Sequence, residues 1–270
     1  MNSTELLCNL RAVAAEAAAI VLEVYEAPFD VEYKRPSDPV TAADKRSNAH
    51  ICSRLRDLYP DIPIVAEESD PSTFADYRDA HQVFFVDPLD GTREFVARNG
   101  EFVVMIGLLD GDRPLAGVLH APTTGAVWSG YVGEGATLTR ADGSETVLEV
   151  SAGAALDAAR LLSTRSHRSE HLERALAKLQ AGQVDALGSA GLKCAAVAEG
   201  SAEAYVSPGR AGSRWDLCAG EAIVVAAGGR VTDAHGSPID YRAESLVNTT
   251  GIVASNGHVH DAIVECWRDV

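Results

Sequence analysis

The segment VFFVDPLDGTREF, residues 83–95, joins an apolar run to a dense group of polar side chains. The apolar run is typical of a buried strand, and Asp87 and Asp90 follow it closely. Another short apolar run ends in Glu67 and Glu68. Carboxylates clustered at strand ends raise one another's pKa unless a positive charge lies between them. The pattern therefore favours a cation site at these strand ends.

A cation held by such a set would be a hard one, because oxygen-rich sites select ions of the Mg²⁺ type. Mg²⁺ takes oxygen ligands at about 2.0–2.1 Å and is usually shared between carboxylates and a phosphate. Asp216 is a further candidate, and Gly91 and Thr92 follow Asp90 at once. A short helix that opens there would offer free backbone N–H groups to a phosphate. The residues alone thus indicate metal-assisted phosphoryl chemistry.

Each acidic residue also has a purely structural interpretation. Asp44 can cap a helix, and Asp90 with the glycine after it can form a turn. Asp216 can be the N-cap of a helix that begins at Leu217. Only the clustering of several carboxylates favours the metal site over these alternatives.

The first half of the chain is predicted to be α+β. An apolar stripe over residues 6–24 indicates an N-terminal helix, and charged residues interrupt it too often for a signal peptide or a membrane span. Thr41 and Asp44 have the spacing of a capping box for a second helix, which should end before Pro60. The predicted β-structure comprises strands at 62–66 and 83–86 and an antiparallel meander over 103–150.

After residue 150 strands and helices alternate, which is typical of an α/β arrangement. We therefore divide the chain into residues 1–150, with most of the candidate metal ligands, and 151–270, with the last ligand and the substrate-recognition candidates. The predicted strands are 161–163, 184–187, 204–206, 252–254 and one near Val231, and the predicted helices are 170–179, 192–199 and 216–227.

Composition limits the classes of function. The formal net charge of −16 over 270 residues argues against nucleic-acid binding, which needs clustered Lys and Arg. An odd number of cysteines without a CxxC pair indicates neither a disulfide framework nor a zinc site, and we expect reduced thiols in a cytoplasmic protein. The cysteines are Cys8, Cys52, Cys194, Cys218 and Cys266.

Four motifs, in their order and spacing, resemble the inositol monophosphatase superfamily of Mg²⁺-dependent, lithium-sensitive phosphatases. They are Asp38-Pro-Val-Thr-Ala-Ala-Asp44, Ala66-Glu-Glu-Ser69, Asp87-Pro-Leu-Asp-Gly-Thr92 and Trp215-Asp216. The resemblance implies a layered αβαβα sandwich of the inositol monophosphatase/fructose-1,6-bisphosphatase type, usually as a homodimer. It also implies two or three Mg²⁺ ions per active site and inhibition by Li⁺.

Within that superfamily, five segments are most similar to the 3′(2′),5′-bisphosphate nucleotidases of the bacterial CysQ type. They are Arg93-Glu-Phe95, Arg98-Asn-Gly-Glu-Phe102, Ser163-Thr-Arg-Ser-His167, Gly188-Ser-Ala-Gly-Leu-Lys193 and Val197-Ala-Glu-Gly200. We shall call them the subgroup segments.

The resemblance implies a role for individual residues. Asp44 and Thr92 would orient and deprotonate the attacking water, with Glu67 as a third catalytic residue. Two ions about 3.5–4 Å apart would clamp the scissile phosphate. The implied metal ligands are Glu67, Asp87, Asp90 and Asp216, together with the backbone carbonyl of Leu89.

Substrate choice is expected to come from the second half. A cation near the start of a helix opposes the helix dipole, so we expect Lys193 to bind a second phosphate, with a solvated surface lysine as the less favoured alternative. Ser166 and His167 could meet the base or ribose, or could simply end a strand. The implied substrate-binding set is Asp90, Gly91, Thr92, Ser166, His167, Ser189, Lys193 and Asp216.

The activity that the resemblance implies is hydrolysis of the 3′-phosphate of adenosine 3′,5′-bisphosphate (PAP), with its sulfated form PAPS as a second candidate, in sulfate assimilation or nucleotide recycling. The expected partner is a small phosphorylated nucleotide, with no nucleic acid and no stable membrane insertion. An inositol or other sugar monophosphatase is the alternative enzyme. A catalytically silent regulator on the same scaffold is the alternative of another class.

Overall fold

The computed structural model describes residues 2–35, 38–74, 77–153 and 155–268. These residues fold into layers in the order helix, sheet, helix, sheet, helix, which confirms the expected αβαβα sandwich. The helices are α1 (Ser3–Glu26), α2 (Ala42–Leu58), α3 (Thr92–Val96), α4 (Glu170–Leu179), α5 (Ala190–Ala198), α6 (Trp215–Ala226) and α7 (His260–Trp267). Short 3₁₀ turns lie at Pro71–Thr73 and Leu156–Ala158.

The strands form a small hairpin and two larger sheets. The hairpin pairs β1 (Val31–Arg35) with β2 (Asp38–Thr41). The larger sheet runs in chain order through β3 (Ile64–Ala66), β4 (Gln82–Asp90), β5 (Val103–Asp110), β6 (Arg113–Ala121), β7 (Ala126–Tyr131), β8 (Gly135–Thr139) and β9 (Glu145–Val147). The second sheet has the order β11-β10-β12-β14-β13, made of β10 (Arg160–Thr164), β11 (Gln183–Leu187), β12 (Ala204–Ser207), β13 (Arg230–Thr232) and β14 (Ile252–Ser255).

Helices α1 and α2 cover the outer face of the larger sheet. The predicted apolar stripe of α1 is buried from Leu6 to Val24, and it packs on β5, β6 and β7. Burial of such a stripe, rather than helix propensity, supplies most of a helix's stability in a protein. These two helices thereby fix the sheet whose strands carry Glu67, Asp87 and Asp90.

Helix α6 lies between the two sheets and is buried along most of its length. Two glycines let it approach the larger sheet closely. A Cβ at Gly117 would lie 2.3 Å from the Ala219 carbonyl oxygen, and one at Gly107 would lie 2.6 Å from the Ala219 nitrogen. The close fit positions the first turn of α6, which carries Asp216, against the end of β4.

Several predicted elements are confirmed and their bounds corrected. Helix α2 begins with the predicted capping box, because Thr41 and Asp44 cap each other's backbone. Strand β4 does not stop at residue 86 but pairs with β5 as far as Asp90, with an irregularity after Asp87. Helix α6 begins at Trp215 with Arg214 as its N-cap, so the interpretation of Asp216 as a mere N-cap is wrong.

The second half follows the predicted alternation, although α5 starts at Ala190, two residues earlier than expected. The two large sheets lie on either side of residue 150. The hairpin β1–β2 and the helix α7 were not predicted. The five cysteines are free thiols, and no helix among the described residues is long and apolar enough to span a membrane.

Candidate active site

Three carboxylates from separate elements converge at one edge of the larger sheet. Strands β3 and β4 are parallel neighbours, and the Glu67 N–H donates to the Val86 carbonyl at 3.1 Å, so Glu67 and Asp87 emerge side by side. The first turn of α6 adds Asp216. One carboxylate oxygen from each of these three residues lies within 4.8 Å of the others. We call Glu67, Asp87 and Asp216 the acidic cluster.

Electrostatics in the acidic cluster are unfavourable without a cation. Burial raises the pKa of Asp87 well above its ordinary value, and the charges of Glu67 and Asp216 raise it further. Burial likewise raises the pKa of Asp216 to about 7, although a hydrogen bond with Asp87 acts in the other direction. Oxygen donors that repel one another in this way fit a hard divalent cation.

A lysine that the sequence did not single out also reaches the acidic cluster. Lys34 of β1 places its Nζ 2.9 Å from Glu67 Oε1 and also contacts the Glu68 carboxylate. Burial alone would lower the pKa of Lys34, but the two carboxylates outweigh it and raise that pKa. No spacing rule could have found this contact, because it depends on how the hairpin folds over the sheet.

Asp44 and Thr92 form the predicted pair. The Thr92 hydroxyl lies 3.0 Å from Asp44 Oδ1 and 3.2 Å from the Leu89 carbonyl oxygen. The other oxygen of Asp44 accepts two hydrogen bonds from Thr41, each at 2.7 Å. Asp44 therefore caps α2 with one oxygen and holds Thr92 with the other, so the capping interpretation and the predicted pairing are both satisfied.

Asp90 lies on β4, like Asp87, but its carboxylate contacts other groups. Its Oδ2 accepts hydrogen bonds from Ser189 Oγ at 2.5 Å and from the Gly191 N–H at 2.7 Å, at the start of α5. Its role as a metal ligand, like that of the Leu89 carbonyl, stays a prediction. Gly91 has a φ of 100°, and a Cβ there would lie 2.8 Å from the Glu101 carbonyl oxygen, so the turn into α3 requires glycine.

Ser166 and Ser189, two of the substrate candidates in the second half, form hydrogen bonds within the protein. The Ser166 carbonyl accepts from Arg93 Nη1 at 2.7 Å, and the Ser166 hydroxyl contacts the Glu94 carboxylate. His167 is exposed. Ser189 is the N-cap of α5 and accepts from the Leu192 N–H at 3.0 Å.

Lys193 is not a solvated surface lysine, because it is only 3% exposed. Its Nζ donates to the carbonyl oxygens of Ser189 at 2.5 Å and Leu187 at 3.2 Å, and it lies 4.8 Å from the ring centroid of Tyr205. Burial lowers the pKa of Lys193. The surface alternative is thus wrong, and the role in binding a second phosphate stays a prediction.

Comparison with known sequences agrees with this geometry. A model of the inositol monophosphatase family matches residues 2–269. The 3′(2′),5′-bisphosphate nucleotidase CysQ of Salmonella typhimurium (strain LT2) is 38% identical over 248 residues, which cover 90% of this chain and 96% of the relative. The CysQ of Escherichia coli K12 is 37% identical over 246 residues, covering 90% and 95%.

Solved structures have the same fold. The extragenic suppressor protein suhB from Bartonella henselae superposes with a TM-score of 0.84 at 25% identity, covering 98% of this chain and 99% of that one. CysQ from Bacteroides thetaiotaomicron, a bacterial member of the inositol monophosphatase family, superposes with a TM-score of 0.76 at 30% identity, covering 92% and 97%.

Proposed function

Because the chain belongs to the inositol monophosphatase family, we propose that it removes the 3′-phosphate of adenosine 3′,5′-bisphosphate in a Mg²⁺-dependent reaction that yields AMP and phosphate. Curated relatives that are 34–38% identical over most of the chain support the enzyme class, a 3′(2′),5′-bisphosphate nucleotidase. PAPS is a second candidate substrate, and a role in sulfate assimilation accords with this choice. Inhibition by Li⁺ is also expected, because the resemblance to the lithium-sensitive phosphatases of this superfamily implies it.

The convergence of the acidic cluster beside the Asp44–Thr92 pair carries the proposal. Glu67, Asp87 and Asp216 would hold the metal ion, with Asp90 and the Leu89 carbonyl as further candidates. When bound, the ion supplies charge neutralisation for the phosphate and acidifies the attacking water. Burial raises the pKa of Glu67, and the charge of Asp44 adds to that rise.

Thr92 and Asp44 would move the proton of the attacking water. The pKa of a threonine hydroxyl is far too high for it to act as a base alone. At 3.0 Å from Asp44 Oδ1, Thr92 can pass its own proton to the carboxylate as it takes one from the water. Burial raises the pKa of Asp44 despite its bonds to Thr41, which makes it a better proton acceptor when it is ionised.

A phosphate-release panel tests the proposal. It comprises adenosine 3′,5′-bisphosphate, PAPS, inositol 1-phosphate and fructose 1,6-bisphosphate, each with Mg²⁺ and with or without Li⁺. We expect the highest kcat/KM for a bisphosphate nucleotide. A preference for inositol 1-phosphate would favour the sugar monophosphatase, and no turnover of any ester by folded protein would favour a silent regulator.

Lys193→Met tests the second-phosphate role while keeping the buried volume similar. We expect KM for the bisphosphate nucleotide to rise by about tenfold, the cost of one charge-assisted contact. An unchanged KM would remove Lys193 from the substrate-binding set without touching the proposed activity.

A further inference from the structure

Four of the subgroup segments meet beside the active site. They are residues 93–95, 98–102, 163–167 and 188–193, and they come from both halves of the chain. Hydrogen bonds join the segments to one another: Arg93 donates to the Ser166 carbonyl, the Ser166 hydroxyl contacts Glu94, and Arg165 and the Gly188 N–H donate to Glu101. These four segments therefore form one polar network, in which Glu101 bonds to residues of two of the others.

The carboxylate of Glu101 joins two segments of the second half to the first half. Arg165 donates to it through Nε at 2.8 Å and through Nη2 at 2.6 Å, a paired geometry that favours arginine over lysine. The Gly188 N–H donates to Glu101 Oε2 at 2.7 Å. Arg165 also donates to the Ala186 carbonyl at 2.9 Å. One carboxylate thus binds the residues that follow β10 and β11.

These two strands are parallel neighbours, with Thr164 opposite Leu187, so they end at the same edge of the second sheet. The chain after β10 carries Ser166 and His167, and the chain after β11 carries Ser189 and the start of α5 with Lys193. Glu101 precedes β5 in the first half. The positions of Ser166, His167, Ser189 and Lys193 therefore depend on how these strand ends sit against residue 101.

The turn at residues 188–189 needs such support. Ser189 has a φ of 58°, a backbone conformation that costs energy for any residue except glycine. A Cβ at Gly188 would lie 2.4 Å from Glu94 Cγ, so the peptide packs directly on the first half. Glu101 holds the Gly188 N–H, Asp90 holds the Ser189 hydroxyl, and Lys193 holds the Ser189 carbonyl.

We propose that Glu101 is a positioning residue for substrate selection, which fixes the ends of β10 and β11, and with them Ser166, His167, Ser189 and Lys193, against the metal-binding half. This inference rests on the proposed function, because those four residues are substrate-binding candidates of that function. Glu101 acts through Arg165 and Gly188, and it does not itself touch the substrate.

The charge of Glu101 is maintained at neutral pH. Burial opposes ionisation, but the bonds from Arg165 and Gly188 outweigh it and lower the pKa of Glu101. The side chain of Glu101 is 22% exposed and that of Arg165 is 46% exposed, so solvent weakens this ion pair. Its loss should therefore cost little stability and should not unfold the protein.

The test compares Glu101→Gln with the wild-type enzyme on two substrates. For adenosine 3′,5′-bisphosphate we expect KM to rise by about tenfold and kcat to change by less than about twofold, because a single charge-assisted contact is lost. For p-nitrophenyl phosphate, which has neither a base nor a second phosphate, kcat/KM should stay within about twofold. Hydrogen exchange of the Gly188 amide, followed in peptides that cover 186–194, should become faster.

Further variants separate positioning from a general structural role. Arg165→Gln should reproduce the effect, and the double variant should be no worse than either single one, because both remove the same contact. Glu101→Asp keeps the carboxylate, so its KM should lie between those of Glu101→Gln and the wild-type enzyme. Glu173→Gln, which removes the exposed ion pair between Glu173 and Arg168 in the same region, is the matched control. It should change neither the KM nor the exchange rate of the Gly188 amide.

Each other outcome contradicts the inference. Equal losses of kcat/KM for both substrates would mean that the contact is only structural. An unchanged KM for the bisphosphate would mean the same, whether or not the Gly188 amide exchanges faster. A higher KM without faster exchange would mean direct contact between Glu101 and the substrate. If the wild-type enzyme does not prefer the bisphosphate, the proposed function fails, and the exchange rate alone then decides whether Glu101 positions Gly188.

Discussion

Two carboxylates three residues apart on β4 have opposite surroundings. Asp87 faces Glu67 and Asp216, and burial followed by the charges of these two residues raises its pKa. Asp90 faces the hydroxyl of Ser189 and the N–H of Gly191 at the start of α5. Burial raises the pKa of Asp90 too, but Lys193 and these two donors counteract it.

The difference separates two kinds of polar region. In the acidic cluster the carboxylates repel one another despite the Lys34 ammonium beside Glu67, so a bound divalent cation would stabilise the region. Around Asp90 and Glu101 the carboxylates already have protein donors, so this region is complete without a ligand and can fix the geometry of the loops around it. We therefore propose ion binding for the first region and positioning for the second, with Asp90 kept as a further candidate ligand.

The largest expected effect is that of Asp87→Asn. Loss of one anionic ligand should reduce phosphate release by about a thousandfold or more, because a metal contributes several kcal/mol to transition-state stabilisation. In EDTA the same variant should have a higher Tm than the wild-type protein, since repulsion is relieved.

Asp90→Asn is the matched variant on the same strand. In EDTA it should lower Tm by about 2–4 °C, because α5 loses the anionic partner at its N-terminus, worth about 1 kcal/mol. If both variants shift the metal-free Tm in the same direction, the two carboxylates do not differ in the way described above.

Thr92→Val should have the next largest effect. It removes the hydroxyl that lies 3.0 Å from Asp44 but keeps the shape of the side chain. We expect kcat to fall by about a hundredfold, the low end for a proton-transfer group, with an unchanged affinity for Mg²⁺ in calorimetry. Thr92→Ser, which keeps the hydroxyl, should retain most of the activity; equal losses in both variants would exclude the proton relay.

Lys34→Met should tighten Mg²⁺ binding. The ammonium group contacts Glu67 and Glu68, so an ion that binds Glu67 must displace it or tolerate its charge. We expect the Kd for Mg²⁺ to fall by about tenfold in calorimetry, and the Tm in EDTA to fall as well. Lys45→Met, which removes an exposed pair with Glu32, is the control, and equal effects of the two variants would show that only net charge matters.

The smallest expected effect is a dependence of metal-free stability on pH. The folded-state pKa of Asp216 is about 7, above its unfolded value of about 4, and that of Asp87 is raised too. Between its two values Asp216 binds more protons in the folded protein than in the unfolded chain, so its contribution to stability falls as pH rises from about 4 to about 7. Tm in EDTA should show this fall, and Asp87→Asn should make it shallower.

The sequence predicted the convergence of Glu67, Asp87 and Asp216, because these residues lie in short motifs that are tied to strand ends and a helix start. The Thr41–Asp44 capping spacing is a local feature, whereas the pairing of Asp44 with Thr92, which lies 48 residues away, was implied by the family resemblance. The αβαβα layers followed from the family resemblance. The division near residue 150 followed from the change from an antiparallel meander to alternating strands and helices.

The remaining features depend on contacts between distant parts of the chain. Nothing near Lys34 indicates that a hairpin brings it to Glu67, which is 33 residues away. The burial of Lys193 and the direction of Asp90 depend on how α5 meets β4. The contact of Glu101 with Arg165 spans 64 residues and joins the two halves.

Anomalous scattering from a crystal soaked in Mn²⁺, an ion that takes the same oxygen ligands as Mg²⁺, tests the account most directly. We expect a peak bounded by the carboxylates of Glu67, Asp87 and Asp216, and no peak there in Asp87→Asn. A wild-type crystal with Mn²⁺ bound elsewhere and none among these three carboxylates would contradict the assignment of ion binding to the acidic cluster.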